Sequence, residues 1–152
     1  MAAAGWRLTR RPWADLSGEG ARLHGGRWNS PGHAVVYLCE EAALPVLEVL
    51  VHLDLPPELL PPDYVLMRVD LSPLAQANGG WIEDGPGEAL DLAESRAWGD
   101  RWIAGARTPV LRVPSVLVRE SANLVLNVRH PLAALLAAPA GRPFLFDPRL
   151  LV

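Results

Sequence analysis

Arg27 and Glu48 are the residues of this sequence with the clearest chemical potential, and they lie close together along the chain. Arg27 belongs to the segment Gly25-Gly26-Arg27-Trp28-Asn29-Ser30-Pro31-Gly32, which we call the opening loop. Its adjacent glycines and its Asn-Ser-Pro-Gly composition favour a sharply bent backbone. A bent backbone that presents a guanidinium suits a phosphate group, because the donors of arginine can bind two oxygens at once. Taken alone, the segment is more typical of an ordinary surface loop that carries a solvated arginine.

Glu48 is predicted to lie on an apolar helix. Residues 40–53 begin with acidic side chains, tolerate Pro45 near the start and are apolar around almost the whole circumference, and Pro56-Pro57 would end the helix. We therefore expect this helix to be buried. An ionised carboxylate in such a surface is costly unless it meets a donor or a cation, so Glu48 should be paired or have a raised pKa. A structural ion pair is the alternative to a functional acid.

The elements that must position these residues predict an α+β domain, because several short strands accompany two helices. The second helix is expected at residues 88–103, with Leu92, Trp98 and Trp102 as its core anchors. Residues 78–87 are interpreted as a surface loop, with a flexible lid as the alternative. Short β-branched, aromatic or alternating runs predict strands at residues 6–8, 34–39, 64–71, 109–118, 123–128 and 144–146, and turn composition predicts an irregular segment at residues 16–21.

Composition indicates one globular, cytoplasmic domain that covers residues 1–152. A chain of 152 residues is the usual size of a single domain, and 50% hydrophobic with 20% charged residues is a globular balance. The basic residues are scattered arginines and the net charge is -3, which argues against nucleic-acid binding. A single cysteine, Cys39, cannot form an internal disulfide. The first residues lack the layout of a signal peptide, and residues 42–55 are too short and too interrupted for a membrane span.

Several familiar site chemistries are excluded by spacing. The four histidines have no zinc-binding arrangement with each other or with acidic residues, and one cysteine cannot build a thiolate site, so no metal is expected. Neither a Walker A loop nor a Gly-x-Ser-x-Gly elbow occurs. Gly18-Glu19-Gly20 does not fit a dinucleotide fingerprint, because no apolar strand precedes it and no long helix is predicted to follow it.

The order of several motifs resembles the RES-domain family of bacterial toxins, which are encoded beside Xre-like antitoxins. The opening loop is followed by Val-Val-Tyr, then by Leu-Glu-Val-Leu-Val-His, and much later by Val-Pro-Ser and Asn-Leu-Val-Leu-Asn-Val-Arg-His-Pro. The resemblance runs from about Arg7 to Pro131, which is nearly the whole chain. It implies a fold similar to that of ADP-ribosyltransferase toxins, with NAD+ as the substrate.

The resemblance also implies a set of site residues. The arginine, tyrosine and glutamate of the family fall on Arg27, Tyr37 and Glu48. An upstream arginine matches Arg7, and the family's serine matches Ser115, with Ser121 as the alternative.

These residues can be given chemical roles on NAD+. Glu48 would stabilise the positive charge that develops on the sugar when the nicotinamide–ribose bond breaks. Arg27, helped by Arg7, would bind the pyrophosphate, and Tyr37 would stack on the cationic nicotinamide ring. Ser115 would add a supporting hydrogen bond. Gly25 and Gly26 would let the dinucleotide approach the backbone.

Four functional hypotheses follow. The first is a toxin that degrades NAD+ by phosphorolysis or hydrolysis, and the second is a protein ADP-ribosyltransferase that uses the same pocket. The third is a non-catalytic binding module, and the fourth, cleavage of nucleic acid, is disfavoured by the acidic balance. The resemblance implies a helix-turn-helix antitoxin of the Xre type that covers the active site, and apolar surface is compatible with a homodimer in that complex.

Overall fold

A mixed seven-stranded sheet forms the centre of the protein within residues 3–151, which are the residues that this computed structural model describes. The spatial order of the strands is β4-β5-β6-β2-β1-β3-β7, in which β4 and β5 run parallel and the other neighbours run antiparallel. In chain order the strands are β1 (Ala4–Arg10), β2 (Val35–Cys39), β3 (Tyr64–Asp70), β4 (Ile82–Asp84), β5 (Val110–Pro114), β6 (Ala122–Asn127) and β7 (Ala140–Pro143).

Four α-helices accompany the sheet in the described part of the chain, which confirms the predicted α+β class. They are α1 (Glu19–His24), α2 (Ala43–His52), α3 (Ser72–Ala77) and α4 (Leu92–Gly105), and short 3-10 helices lie at Arg11–Trp13, Pro57–Leu59, Pro131–Leu135 and Pro148–Leu150. The longest helix, α4, begins with a reciprocal cap: Asp91 accepts from the Glu94 amide, and Glu94 accepts from the Asp91 amide. None of the helices within residues 3–151 is long and apolar enough to cross a membrane.

The sheet divides into two halves between β1 and β2. Along one edge β1 pairs with β3 over its whole length, and β2 pairs with β6 in the same way. Within the described residues, the ladder between β1 and β2 consists of one pair, Trp6 opposite Cys39. The halves β4-β5-β6-β2 and β1-β3-β7 are therefore joined at a single position and can enclose a space beside it.

Apolar side chains cover both faces of the sheet. Successive residues of β2 point to opposite faces, so that Val36 packs in one core cluster and Val35 in the other. The first cluster includes Leu74 of α3, and the second includes Trp28 of the opening loop and Trp102 of α4. Helix α4 and the opening loop thus belong to one packed layer.

Helix α2 differs from its prediction in position and in burial. It begins at Ala43, so no acidic residue lies in its first turn. Glu40, just before it, instead pairs with Arg112 of β5 at 2.6 Å. The fully buried side chains of α2 are Leu44 and Pro45, whereas Val51 is 61% exposed. The expectation of a buried helix is wrong, because no side chain of α2 beyond its first turn is fully buried.

Three further segments correct the sequence-based assignments. Residues 78–87 contain β4, which extends the sheet beside β5 instead of forming a plain loop. Residues 144–146 are not a strand: β7 ends at Pro143, and the rings of Phe144 and Phe146 pack edge-on against each other, with Phe146 also edge-on to Tyr64. The short helices α1 and α3 were not predicted, and Leu92, expected in the core, is exposed.

Candidate active site

A cavity of about 800 Å³ lies where the two halves of the sheet separate. Ligand pockets for small molecules and cofactors usually occupy roughly 300–1,000 Å³, so this cavity has room for a nucleotide-sized ligand. Its walls come from β1, β2, α2, the opening loop and the turn after β5. All but one of the site residues predicted from the sequence line it: Arg7, Gly25, Gly26, Arg27, Tyr37 and Glu48.

Two side chains of helix α4 hold the opening loop by donating hydrogen bonds to carbonyl groups of the loop. The Ser95 hydroxyl donates to the carbonyl oxygen of Arg27 at 2.7 Å, and the Arg96 Nε donates to that of Gly26 at 2.8 Å. Ser95 is fully buried, so its hydroxyl requires a partner, and the loop carbonyl supplies one. These two contacts set the course of the backbone that carries the Arg27 side chain.

The next turn of α4 holds the other end of the loop. Asp100 accepts from the Ser30 amide at 2.9 Å and from the Ser30 hydroxyl at 2.6 Å. Between these contacts Gly99 lies directly against the backbone of Trp28, and a Cβ placed on Gly99 would be 1.8 Å from the Trp28 carbonyl oxygen. The backbones of the helix and the loop are therefore in direct contact at this point, and only glycine at position 99 leaves room for that contact.

Tyr37 closes the loop from the sheet side. Its hydroxyl donates to Asn29 Oδ1 at 2.6 Å and accepts from the Trp28 amide at 2.9 Å. Burial raises the pKa of Tyr37 to about 12, so the phenol remains protonated and remains a donor at neutral pH. The Tyr37 ring passes over Gly26, where an added Cβ would lie 2.6 Å from the hydroxyl oxygen.

The two glycines of the loop shape it. Gly25 has a φ of 73°, a conformation that other residues rarely adopt. Gly26 has to be without a side chain because the Tyr37 ring occupies that space. Both glycines line the cavity. The contact with Tyr37 requires glycine at position 26 whether or not a ligand is bound.

Glu48 projects from α2 toward β6 and is paired, as the sequence requires of an acid on this helix. Its Oε1 accepts from Asn123 Nδ2 at 2.7 Å, and its Oε2 lies 3.5 Å from the Cys39 thiol, which donates to it. Burial, together with the nearby charge of Glu48, raises the pKa of the Cys39 thiol, which keeps its proton at neutral pH. The partners of the carboxylate are thus neutral donors, and none of the ion pairs formed within residues 3–151 involves Glu48.

Two guanidinium groups line the same cavity. Arg7 donates through Nη1 to the carbonyl oxygens of Trp13 at 3.0 Å and of Asp15 at 3.3 Å. Burial lowers the pKa of Arg7, and the Asp15 charge opposes that shift; an arginine in this setting still carries its charge. Arg27 is exposed and donates to the Leu90 carbonyl oxygen at 3.1 Å. Among the ion pairs formed within residues 3–151, none involves Arg7 or Arg27, so both are suited to an anionic ligand.

The structure does not bring the predicted serine to the cavity. Ser115 is buried, and its hydroxyl accepts from the amides of Leu117 at 3.1 Å and Val118 at 3.3 Å, which fixes the turn after β5. Ser121, the alternative, donates to a Glu41 carboxylate oxygen. Neither serine is among the described residues that line the cavity. Ser115 supports the cavity wall through the turn after β5.

Sequence reasoning missed the side chains that hold the site together. Asn123 is one of two asparagines in a strand whose other residues are apolar, and that contrast is the signal that could have identified it. Ser95, Gly99 and Asp100 recur along one face of α4, a spacing that marks a polar, glycine-containing seam. Their loop partners are distant in sequence, so the pairing itself has no local signal.

Exposed apolar side chains surround the mouth of the cavity. Trp13, Val51, Val116 and Leu117 line it and are exposed, and Val116 reaches 61% exposure. A cluster of this kind is a common feature of a surface that binds another molecule. We refer to these four residues as the apolar rim.

Comparison with known proteins places this geometry in context. The RES domain family matches residues 4–147. A Prs ADP-ribosylating toxin of Sphingobium sp. is 39% identical over 145 residues, covering 90% of this chain and 87% of the relative. A Toxin Res of Pseudomonas putida is 35% identical over 129 residues, covering 84% of this chain and 86% of the relative.

The fold has a solved counterpart. A chain in the crystal structure of the M. tuberculosis MbcT-MbcA toxin-antitoxin complex superposes with a TM-score of 0.66 at 19% identity. The match covers 95% of this chain and 85% of that chain. At this level of identity the similarity establishes the fold.

Proposed function

The chain belongs to the RES domain family, and from that premise we propose that it is the toxin of a toxin–antitoxin pair and cleaves the nicotinamide–ribose bond of NAD+. The observation that carries the proposal is the cavity itself, which brings two arginines, an aromatic ring and a carboxylate held by neutral donors to one place. Relatives named as toxins, one of them as an ADP-ribosylating toxin, support the same class of reaction.

Glu48 is the residue proposed to act on the sugar. When the bond to nicotinamide breaks, its electron pair leaves with the ring nitrogen and positive charge develops on the ribose. A carboxylate beside the sugar stabilises that charge, and it does so best where a nearby cation does not already neutralise it. The neutral partners of Glu48 support this role.

The two arginines and Tyr37 are proposed to bind and orient the dinucleotide. Arg27 and Arg7, which line the same cavity, would donate to the pyrophosphate oxygens, which is the recognition for which forked donors are best suited. The Tyr37 ring would face the cationic nicotinamide, an interaction worth about 1 kcal/mol or somewhat more in a desolvated pocket. Its hydroxyl is engaged with the opening loop, so the ring is held in one orientation.

The group that attacks the sugar distinguishes two candidate activities. Water or phosphate as the nucleophile would make the protein an NAD+-degrading enzyme, which is our first candidate. A protein side chain as the nucleophile would make it an ADP-ribosyltransferase, and the 39% identity to the Sphingobium toxin favours this second candidate. Both share the first bond cleavage and the same cavity.

An antitoxin is the partner that we propose for this surface, of the helix-turn-helix, Xre-like kind. The apolar rim supports a protein partner at the mouth, because exposed apolar side chains there gain from being covered. The structural neighbour comes from a toxin-antitoxin complex, which supports the same arrangement. Self-association within such a complex stays a prediction.

The test compares wild-type protein, made by cell-free synthesis, with Glu48→Gln and with Glu88→Gln as a matched control outside the cavity. Each is incubated with NAD+ with and without phosphate and with a bacterial lysate, and products are identified by mass spectrometry. We expect nicotinamide release by the wild type and the control, and a loss of about 100-fold or more in Glu48→Gln.

Each outcome separates the candidates. Free ADP-ribose or its phosphate indicates NAD+ degradation, whereas labelled protein without loss of bulk NAD+ indicates ADP-ribosyl transfer. If wild-type protein releases no nicotinamide and labels no protein, the proposed reaction is wrong. If Glu48→Gln and Arg27→Ala inhibit growth as the wild type does, the protein acts as a binding module.

A further inference from the structure

Asn123 and Cys39 lie side by side on the sheet and both reach Glu48. They are direct partners in the antiparallel register of β2 and β6, so their side chains are on the same face. Asn123 Nδ2 is 2.7 Å from Glu48 Oε1 and 3.4 Å from Cys39 Sγ. The thiol in turn lies 3.5 Å from Glu48 Oε2. Each oxygen of the carboxylate therefore has its own donor.

This arrangement solves a problem that α2 creates. A glutamate has three rotatable side-chain bonds, and α2 has no fully buried side chain beyond its first turn, so the carboxylate would otherwise sample many positions. Both donors belong to neighbouring central strands of the sheet, which is a rigid element, and they hold the carboxylate from the sheet side. Rigid support of this kind is what keeps a reacting group within the narrow geometry that catalysis requires.

We propose that Asn123 is a positioning residue for the reaction, with Cys39 as a weaker second donor: together they hold the Glu48 carboxylate where it meets the sugar. The proposal rests on the proposed function, because it assigns a role through Glu48. Asn123 acts by keeping an oxygen of Glu48 in place. It takes no part in bond making or breaking.

Asn123→Asp is the sharpest perturbation, since it keeps the shape and replaces the donating amide with a second carboxylate. Two carboxyl groups at this separation cannot both ionise readily, so one retains a proton to a higher pH. We expect the acidic limb of the pH–rate profile for nicotinamide release to move up by about one pH unit or more. We further expect kcat to fall by about 10-fold to 100-fold with KM changed much less, since the arginines that bind NAD+ are untouched.

Two comparisons separate positioning from a merely structural role. Asn78→Asp adds the same charge at an exposed position away from the cavity lining, and it should leave the profile unchanged. Cys39→Ser keeps a donor beside Glu48 and Cys39→Ala removes it, so kcat should be lower in the alanine variant, by a factor of a few. A role confined to tying β6 to α2 would lower the melting temperature of Asn123→Asp and leave kcat at the wild-type value at a pH above the acidic limb.

A readout independent of turnover keeps this inference distinct from the proposed function. In protein labelled with ¹⁵N at asparagine and ¹³C at glutamate, the side-chain amide of Asn123 should shift as the Glu48 carboxyl titrates. The titration of Glu48, followed in the variants through its ¹³C signal, should move to higher pH in Asn123→Asp and not in Asn78→Asp. If wild-type protein fails to act on NAD+ while this coupling is seen, the proposed function fails and the pairing stands. If the coupling is missing, or if an active enzyme keeps its pH profile in Asn123→Asp, the positioning role is overturned.

Discussion

Gly99→Ala tests whether α4 shapes the active site through its contact with the opening loop. The added methyl would lie 1.8 Å from the Trp28 carbonyl oxygen and 2.7 Å from its carbon, whereas ordinary contacts begin at 3.4 Å. The atoms in the way belong to the backbone and cannot rotate aside. The helix and the loop must therefore separate by more than an ångström.

The expected cost follows from the bonds that such a separation stretches. Four hydrogen bonds connect α4 to the loop, from Ser95, from Arg96 and, twice, to Asp100. Net contributions of about 0.5–1.5 kcal/mol each, partly offset by the better helix propensity of alanine, give a destabilisation of about 3 kcal/mol. In a domain of this size that corresponds to a decrease of roughly 6–12 °C in the melting temperature.

The measurement is thermal and urea unfolding of Gly99→Ala beside Gly105→Ala, a matched change in the same helix. A Cβ on Gly105 meets nothing within 4 Å among the described residues, so its stability should equal or slightly exceed that of the wild type. NAD+ turnover should fall in Gly99→Ala alone, because Arg27 is displaced with the loop. Equal melting temperatures for the two variants would refute the close contact and the account of α4 built on it.

Three further predictions concern the same framework. Gly26→Ala should lower both stability and NAD+ affinity, measured by melting and calorimetry, since its methyl would meet the Tyr37 ring at under 3 Å; unchanged affinity would contradict this. Because the pKa of Tyr37 is raised to about 12, the unfolded chain loses this proton first as pH rises from 10. Wild-type stability should therefore drop by about 1 kcal/mol more than that of Tyr37→Phe between pH 9 and 11, as judged by urea unfolding. Asp91→Ala removes the cap of α4 and should cost about 1 kcal/mol, whereas Asp91→Asn should cost less.

Local pattern was enough to predict the elements that carry the site. Strands that are buried on both faces are almost continuously apolar. The apolar runs of β2 and β6 are therefore visible in the sequence. Arg27, Tyr37 and Glu48 follow one another on adjacent elements, so their convergence needed little long-range information. The family resemblance supplied the role of Tyr37 and also added Arg7, which lies on β1 in the other half of the sheet.

What could not be predicted depends on partners far away in the chain. The Asn123 and Glu48 side chains that meet at 2.7 Å are 75 positions apart, and the loop contacts of α4 span a similar separation. Helix α2 looked buried because its composition is apolar, but composition cannot tell whether an apolar face packs inside or borders a cavity. The position of Ser115 in a motif suggested a ligand contact, but its hydroxyl accepts hydrogen bonds within the turn after β5. The motif alone could not distinguish these two roles.

Residues of β1 and β2 line the cavity where the two strands diverge. Each strand is paired along its outer edge, and beyond Trp6 and Cys39 the facing edges have N–H and C=O groups with no strand partner within residues 3–151. Such groups are as polar and as directional as any side chain. A substitution in β1 or β2 alters the shape of this wall but leaves its row of donors and acceptors in place, so part of the hydrogen-bonding capacity of the site does not depend on side-chain identity.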